Sequence, residues 1–161
     1  MSINYYVVGS TYYHTDRPGE DMFGHMVSQK VVSVGWAEDI DLTDLYDKPH
    51  QEIIDYLKSE GEGYKSYSSL KHFLSLKPGD MIAVKKWDGN GGIIVRAYAR
   101  VVKRQGKIYR FHRSLLKHMI NVDYIKKCLP PISFPFNYSQ TIHHVTNPER
   151  IREIFGPVLA S

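Results

Sequence analysis

The apolar positions of the chain fall into short runs, broken by glycine, proline and clusters of acids. Asn4-Tyr5-Tyr6-Val7-Val8-Gly9 is rich in aromatic and β-branched residues, which predicts a first strand whose end is Ser10 to His14. Residues 15–21 have loop composition around Pro18-Gly19, and residues 21–29 fit a short helix. Val31-Val32-Ser33-Val34-Gly35-Trp36 reads as a buried strand that stops at a glycine and a tryptophan. Acids follow at once, at Glu38, Asp39 and Asp41, and residues 42–46 predict a helical or turn segment. Within residues 49–60, Ile53, Ile54 and Leu57 hold the i, i+1, i+4 spacing of a helix face, ended by Gly61 and Gly63. Leu70, Phe73, Leu74 and Leu76 give residues 66–76 the stripe of another helix, with Ser68 or Ser69 as its cap and Pro78-Gly79 as its breaker.

Strands are predicted at 81–84 and 93–102, on either side of Asp88-Gly89-Asn90-Gly91-Gly92. Asn90-Gly91 is a hairpin signal, so the two strands should be antiparallel neighbours. The glycine run lacks the following helix and the Lys-Ser/Thr pair of a phosphate-cradling loop. More strands are expected at 107–112, 121–125 and 141–145, with an irregular stretch marked by Pro130-Pro131 and Pro135. Asn147-Pro148-Glu149 opens a last helix, with a capping asparagine, proline at its first position and an acid in its first turn. Ile151, Ile154 and Phe155 form its apolar face, and Gly156-Pro157 should end it. No internal repeat or linker interrupts this order. The expectation is one domain over residues 1–161, with a core at about 4–130 and a terminal strand and helix in 131–161. Its class is α+β: a mixed pseudo-β-barrel with helices packed on it.

Composition narrows the partners. The net charge is +4 and the pI about 9.0, which mildly favours polyanions. The distribution says more. Residues 85–127 carry a dense set of Lys and Arg with Asp88 and Asp123 as their acids, whereas residues 38–62 are rich in Asp and Glu. One part of the surface should be basic and another acidic. Twelve tyrosines suit stacking on bases above a charged backbone. The single cysteine, Cys128, excludes an internal disulfide and fits a reducing compartment. No apolar run reaches the roughly 18 residues of a membrane span. The opening residues lack a basic segment followed by an apolar core. A soluble, cytoplasmic protein with no membrane contact is expected.

Three segments carry a resemblance. They are Tyr5-Tyr6-Val7-Val8-Gly9-Ser10; the stretch from Leu70 through Lys77-Pro78-Gly79-Asp80 to Met81-Ile82-Ala83-Val84; and the glycine-led strand Gly92-Ile93-Ile94-Val95-Arg96-Ala97-Tyr98-Ala99-Arg100-Val101-Val102. Their order resembles the PUA-like superfamily, within it the EVE and YTH branch. Asn121-Val122-Asp123-Tyr124-Ile125 with Pro130-Pro131 behind it looks like the later strand of EVE domains. Val34-Gly35-Trp36 followed by Asp39-Ile40-Asp41-Leu42 looks most like the N-terminal modules of McrBC-type modification-dependent restriction systems. Gly9 stands where EVE domains typically carry a lysine, and Tyr124 where many relatives have tryptophan. The resemblance implies a pseudo-barrel whose aromatic pocket takes a flipped, modified base. It implies N6-methyladenine or a modified cytosine and a DNA or RNA backbone on a basic rim, with DNA favoured; an effector nuclease or NTPase, as subunit or domain, is the partner that would go with it.

On that reading the cage residues are Trp36, Trp87 and one of Tyr12 or Tyr13, with Ser10, Asp39 and Asp88 as hydrogen-bonding groups near them. The backbone contacts are Lys85, Lys86, Arg96, Arg100, Lys103, Arg104, Lys107, Arg110 and Arg113. Plainer readings stand beside these: Trp36 as an anchor at the rim of the core, Trp87 as an exposed hairpin tip, Ser10 as a turn residue, Asp39 and Asp88 as solvated loop acids, and the cations as a solvated sheet face. Catalysis finds no motif. The histidines are scattered, and the adjacent His143 and His144 point to opposite faces of a strand. There is no His-Glu-x-x-His, Cys-x-x-Cys or Gly-x-Ser-x-Gly. Cys128 reads as a small buried hydrophobe. No metal, cofactor or catalytic residue is therefore assigned. The alternatives are an enzyme of RNA or nucleotide metabolism on an ASCH-like barrel, and a protein-interaction module using the acidic stretch 38–62.

Overall fold

Burial on both faces organises the sheet. The computed structural model describes residues 2–12, 19–114 and 116–159. Its elements are β1 (Tyr5–Gly9), β2 (Thr11–Tyr12), β3 (Glu20–Asp21), α1 (Phe23–Gln29), β4 (Val31–Val34), a 3-10 turn (Thr43–Leu45), α2 (His50–Ser59), α3 (Tyr64–Phe73), β5 (Met81–Trp87), β6 (Ile93–Val101), β7 (Tyr109–His112), β8 (Lys117–Phe134), β9 (Ile142–Val145) and α4 (Pro148–Leu159). A seven-stranded mixed sheet runs β4-β8-β6-β5-β1-β9, with β7 added on β8, and β2 and β3 form a separate two-stranded ribbon. The sheet curls into a half-barrel, so the molecule is α+β.

The period-2 alternation of the strands sorts their side chains into two cores. Tyr6 and Val8 of β1, Ile82 and Val84 of β5, and Ala99 and Val101 of β6 enter one core with Met26, Leu57, Leu70 and Phe73 from the first three helices. Val7, Met81, Ala83, Val95 and Tyr98 enter the other, with Ile154 and Phe155 of α4. Strands buried on both sides must be apolar at nearly every position, which is why Val7-Val8 and Met81-Ile82-Ala83-Val84 read as unbroken runs. β1 pairs parallel with β5 and antiparallel with β9. β5 and β6 form the expected antiparallel hairpin.

Three segments depart from the pattern reading. The strand expected at 121–125 runs from Lys117 to Phe134, straight through Pro130-Pro131. The register on β6 steps from Ala97 opposite Lys127 to Val95 opposite Ile132. Both prolines fall in that bulge, where no ladder N–H is required of them. The helix read as 66–76 is Tyr64–Phe73, and Gly63 precedes it. Ser69 is buried in its packed face, and Ser68 donates to the Lys65 carbonyl, so neither serine caps it. The last helix does not stop at Gly156-Pro157 but continues to Leu159. Asn147 Oδ1 accepts from the backbone N–H of Glu149 and Arg150, as a capping residue should. In the turn that Pro157 interrupts, the Tyr98 hydroxyl donates to the Ile154 carbonyl and ties α4 to the sheet.

Gly92 stands immediately before β6, at a point with no room for a side chain. A Cβ there would meet the Phe134 carbonyl and the Asp88 carboxylate well inside van der Waals contact. Gly24, inside α1, faces nothing within 4 Å. Gly92→Ala should therefore cost more than about 1 kcal/mol, as other overpacked sites do. Gly24→Ala should be neutral or stabilising by up to about 1 kcal/mol. Urea unfolding of the two variants checks this; equal stabilities would show that the hairpin yields freely.

Candidate nucleic-acid interface

The segment that carries Trp36 has little regular structure, so side chains and carbonyls hold it. Ala37 sits at φ 49°, and its carbonyl accepts from the backbone N–H of Ile40 and from His118 Nε2 at 3.0 Å. A carbonyl only accepts, so His118 bears its proton on Nε2. Nδ1 then accepts from the Tyr109 hydroxyl at 2.6 Å. The same hydroxyl oxygen accepts from the Leu42 backbone N–H at 3.1 Å. His118 is fully buried, and desolvation pushes its pKa down from 6.5 to about 4. Lys117, also buried, donates to the Arg113 carbonyl and lies 3.6 Å from Glu38. Arg113 in turn donates to the Asp39 carbonyl at 3.1 Å. The segment is thus pinned from Ala37 to Leu42 by residues of β7, β8 and the turn between them.

Trp36 emerges from this frame half-buried. Its Nε1–H donates to Thr141 Oγ1 at 2.8 Å. The indole lines a cleft of about 300 Å³ with Tyr64, Lys65, Ser68 and Ser69 on the α3 side and Ser139, Gln140 and Thr141 on the other. Trp87, at the end of β5 and 51% exposed, lines a smaller cleft of about 80 Å³ with Gly9, Ser10, Lys85 and Lys86. Ser139, Gln140 and Thr141 border both clefts. The two tryptophans therefore do not close on one cage; the 139–141 strap lies between their clefts.

The other candidates sort by burial. Tyr12 is 4% exposed; its hydroxyl donates to the Leu116 carbonyl at 2.7 Å and accepts from Ser33 Oγ at 2.6 Å, so its ring belongs to the core. Tyr13 lies outside the described residues. Ser10 is fully buried; its Oγ lies 3.2 Å from the Lys85 carbonyl and accepts from Arg96 Nη1. Asp88 closes the hairpin turn by accepting from the N–H of Asn90 and Gly92. Asp39 is exposed. Among the cations, Lys85 is buried, donates to the Tyr138 carbonyl at 2.8 Å and has its pKa lowered by desolvation. Arg96 pairs with Asp21 at 2.7 Å and lies 4.2 Å over the Phe23 ring. Arg104 pairs with Asp123 at 2.9 Å. Lys86, Arg100, Lys103, Lys107 and Arg113 are exposed, and Arg110 is half-buried.

The pattern reading missed Thr141, Gln140, His118 and Tyr109. Thr141 and Trp36 are 105 positions apart, and no local motif joins them. Among the described residues, no group of three or more His, Cys, Asp or Glu side chains is placed to hold a metal. No helix there is long and apolar enough to cross a membrane. A search against family models finds no match, and no curated protein matches the chain.

The buried histidine gives the segment a pH signature. A folded-state pKa near 4, against 6.5 when exposed, means that the unfolded chain takes up the proton first. Stability is then lost as the pH falls below about 6.5, until about 4, and His118 accounts for roughly 2 kcal/mol of loss between pH 7 and pH 5. His118→Gln keeps one donor and one acceptor but does not titrate. Its unfolding free energy should fall less than the wild type's over that interval, by about this amount, in urea melts at the two pH values.

Proposed function

We propose that the chain is a non-catalytic nucleic-acid-binding domain that reads a modified base, methylated adenine or cytosine, flipped from DNA into the Trp36 cleft. The fold would be PUA-like and of EVE type; a curled mixed sheet with helices packed on it supports that reading. The observation that carries the proposal is a fixed indole facing a cleft of about 300 Å³ whose other walls offer hydroxyls and an amide. A flipped base needs both a stacking surface and edge partners, because leaving the duplex costs a few kcal/mol. An aromatic face returns roughly 1–3 kcal/mol. Ser68, Ser69, Gln140 and Thr141 can supply edge hydrogen bonds, and Tyr64, 72% exposed, a second aromatic surface. One added methyl contributes only about 0.8 kcal/mol by burial. Strong discrimination then rests on the fit of the walls.

Gly9 takes a further meaning in this reading. EVE domains typically have a lysine there. Here Gly9 pairs in register with Lys85 of the neighbouring strand, and a Cβ on Gly9 would lie 3.5 Å from Lys85 Cε. The cation reaches the same locality from β5. The domain would act alone or as the recognition arm of an effector nuclease or NTPase.

Fluorescence anisotropy against matched oligonucleotides tests the proposal: unmodified, N6-methyladenine, 5-methylcytosine and 5-hydroxymethylcytosine, each as DNA and RNA. One modified strand should bind about tenfold more tightly, equivalent to about 1.4 kcal/mol. Trp36→Ala should abolish that preference and leave weak, salt-sensitive binding. Equal affinity across the panel for the wild type would overturn the reading.

A further inference from the structure

A notch of about 350 Å³ lies where the end of α1 and Lys30 meet the turn between β6 and β7. Lys30, Arg104, Lys107 and Arg110 line it, and no carboxylate does. The four cations differ in how they are held. Arg104 is a fastener: it donates to the carbonyls of Lys30 and Val122 and pairs with Asp123. Arg110 is held from behind. Its Nε donates to Asn121 Oδ1 at 3.0 Å, and the amide of Asn121, itself 2% exposed, donates to the Lys107 carbonyl at 2.9 Å. One buried asparagine thus fixes both the Arg110 guanidinium and the turn that carries Lys107. No other hydrogen bond engages the terminal nitrogens of Arg110 among the described residues. Lys30 and Lys107 are exposed and form no ion pair there.

A buried amide committed to orienting a guanidinium whose fork stays open is the arrangement that planar, bidentate recognition of a phosphate uses. The backbone also takes a costly form here. Lys30 and Gln105 hold left-handed conformations at φ 56° and 53°. Each costs a non-glycine residue about 1–2 kcal/mol. Such conformations persist where the surroundings impose them and gather at functional sites.

We infer that this notch binds three successive phosphates of a nucleic-acid backbone, with Arg110 as the forked ligand of one and Lys30 and Lys107 each facing another. The inference rests on the nucleic-acid reading above but not on base recognition. Lys30 and Trp36 stand just beyond the two ends of β4. The chain between them spans at most about 20 Å. At 3.4 Å per step along a straight strand, that span corresponds to about six base steps between the notch and a base in the Trp36 cleft. Arg104, as a fastener, is not expected to contact the ligand.

Salt titration of binding to an unmodified duplex of about 20 base pairs tests this, since each lost phosphate contact lowers the slope of log K on log salt by about 0.9. Lys30→Gln with Lys107→Gln should lower the slope by about 1.8, and Arg110→Gln by about 0.9 more. The two lysines are exposed, so their double variant should melt like the wild type and carries the test even if Arg110→Gln disturbs the turn. Arg110→Lys should keep the slope and lose affinity several-fold, because the fork is gone. With a base in the Trp36 cleft, the double-lysine variant should weaken binding to strands with flanks of about ten nucleotides and leave single-nucleotide flanks unaffected. Unchanged slopes in the double-lysine variant would overturn the inference, whatever the base preference. Equal losses on long and short flanks would place these lysines at the base cleft and overturn it too. Reduced slopes in a protein that shows no preference for any modified base would support the notch while the base-reading proposal fails.

Discussion

The structure depends on one strand that serves three partners. Over its first turn-proximal residues β8 lies between β4 and β7, and beyond them it pairs with β6. β8 is long enough for β7 and β6 to follow one another along it, and the bulges in its pairing with β6 bend it. The first part of that strand holds segments that border the two larger candidate clefts. Lys117, His118 and Asn121 are consecutive or nearly so, and all three are buried polar residues. Each faces a different demand. Lys117 meets Glu38, His118 meets Tyr109 and Ala37, and Asn121 meets Arg110 and Lys107. Buried polar groups are tolerated only when satisfied. These three are satisfied by holding the two segments that border the clefts.

The consequence is a division between rigid supports and open charge. Several cations on the strand-rich half are engaged inside the molecule: Lys85 by the Tyr138 carbonyl, Arg96 by Asp21 and Phe23, and Arg104 by Asp123. The Arg96 and Arg104 ion pairs are partly exposed and contribute at most about 1 kcal/mol each, so their main effect is geometric. They fix the α1 corner and the ribbon of β2 and β3 to the sheet. The charge left for a partner is smaller and more localised than a count of Lys and Arg between residues 85 and 127 implies.

The sheet was legible because its strands are buried on both faces and spell themselves out as apolar runs. The hairpin at Asn90-Gly91 and the Asn147 cap were legible because each is a local chemical rule. Proline misled the reading at Pro130-Pro131, where a bulge accommodates a residue that usually ends an element, and at Pro157, which α4 contains two residues before its end. The candidate site was legible only in part. Trp36 announced itself as a tryptophan at the end of an apolar run, but Tyr12 gave the same signal and its ring lies in the core. Both are aromatic residues at strand ends, and only the long-range packing of β8 distinguishes them. The same holds for Thr141, whose role depends on a partner in a distant part of the chain.

The way Trp36 is held bears on how such a cleft would work. A side chain that must be ordered on binding costs about 0.5–1.5 kcal/mol at that moment. Here the indole is hydrogen-bonded to Thr141, and its segment is fixed through Ala37 and Leu42. The ordering cost falls on folding instead, so little of the stacking energy is withdrawn when a flat ligand arrives. A fixed platform also cannot adapt to whatever is laid on it. The opposite wall differs. Tyr64 opens α3 and is 72% exposed, with its ring edge-on to Tyr67 at 5.6 Å. One wall is set by the fold and the other is the exposed start of α3, so the shape such a cleft would select is dictated from the Trp36 side and completed from α3.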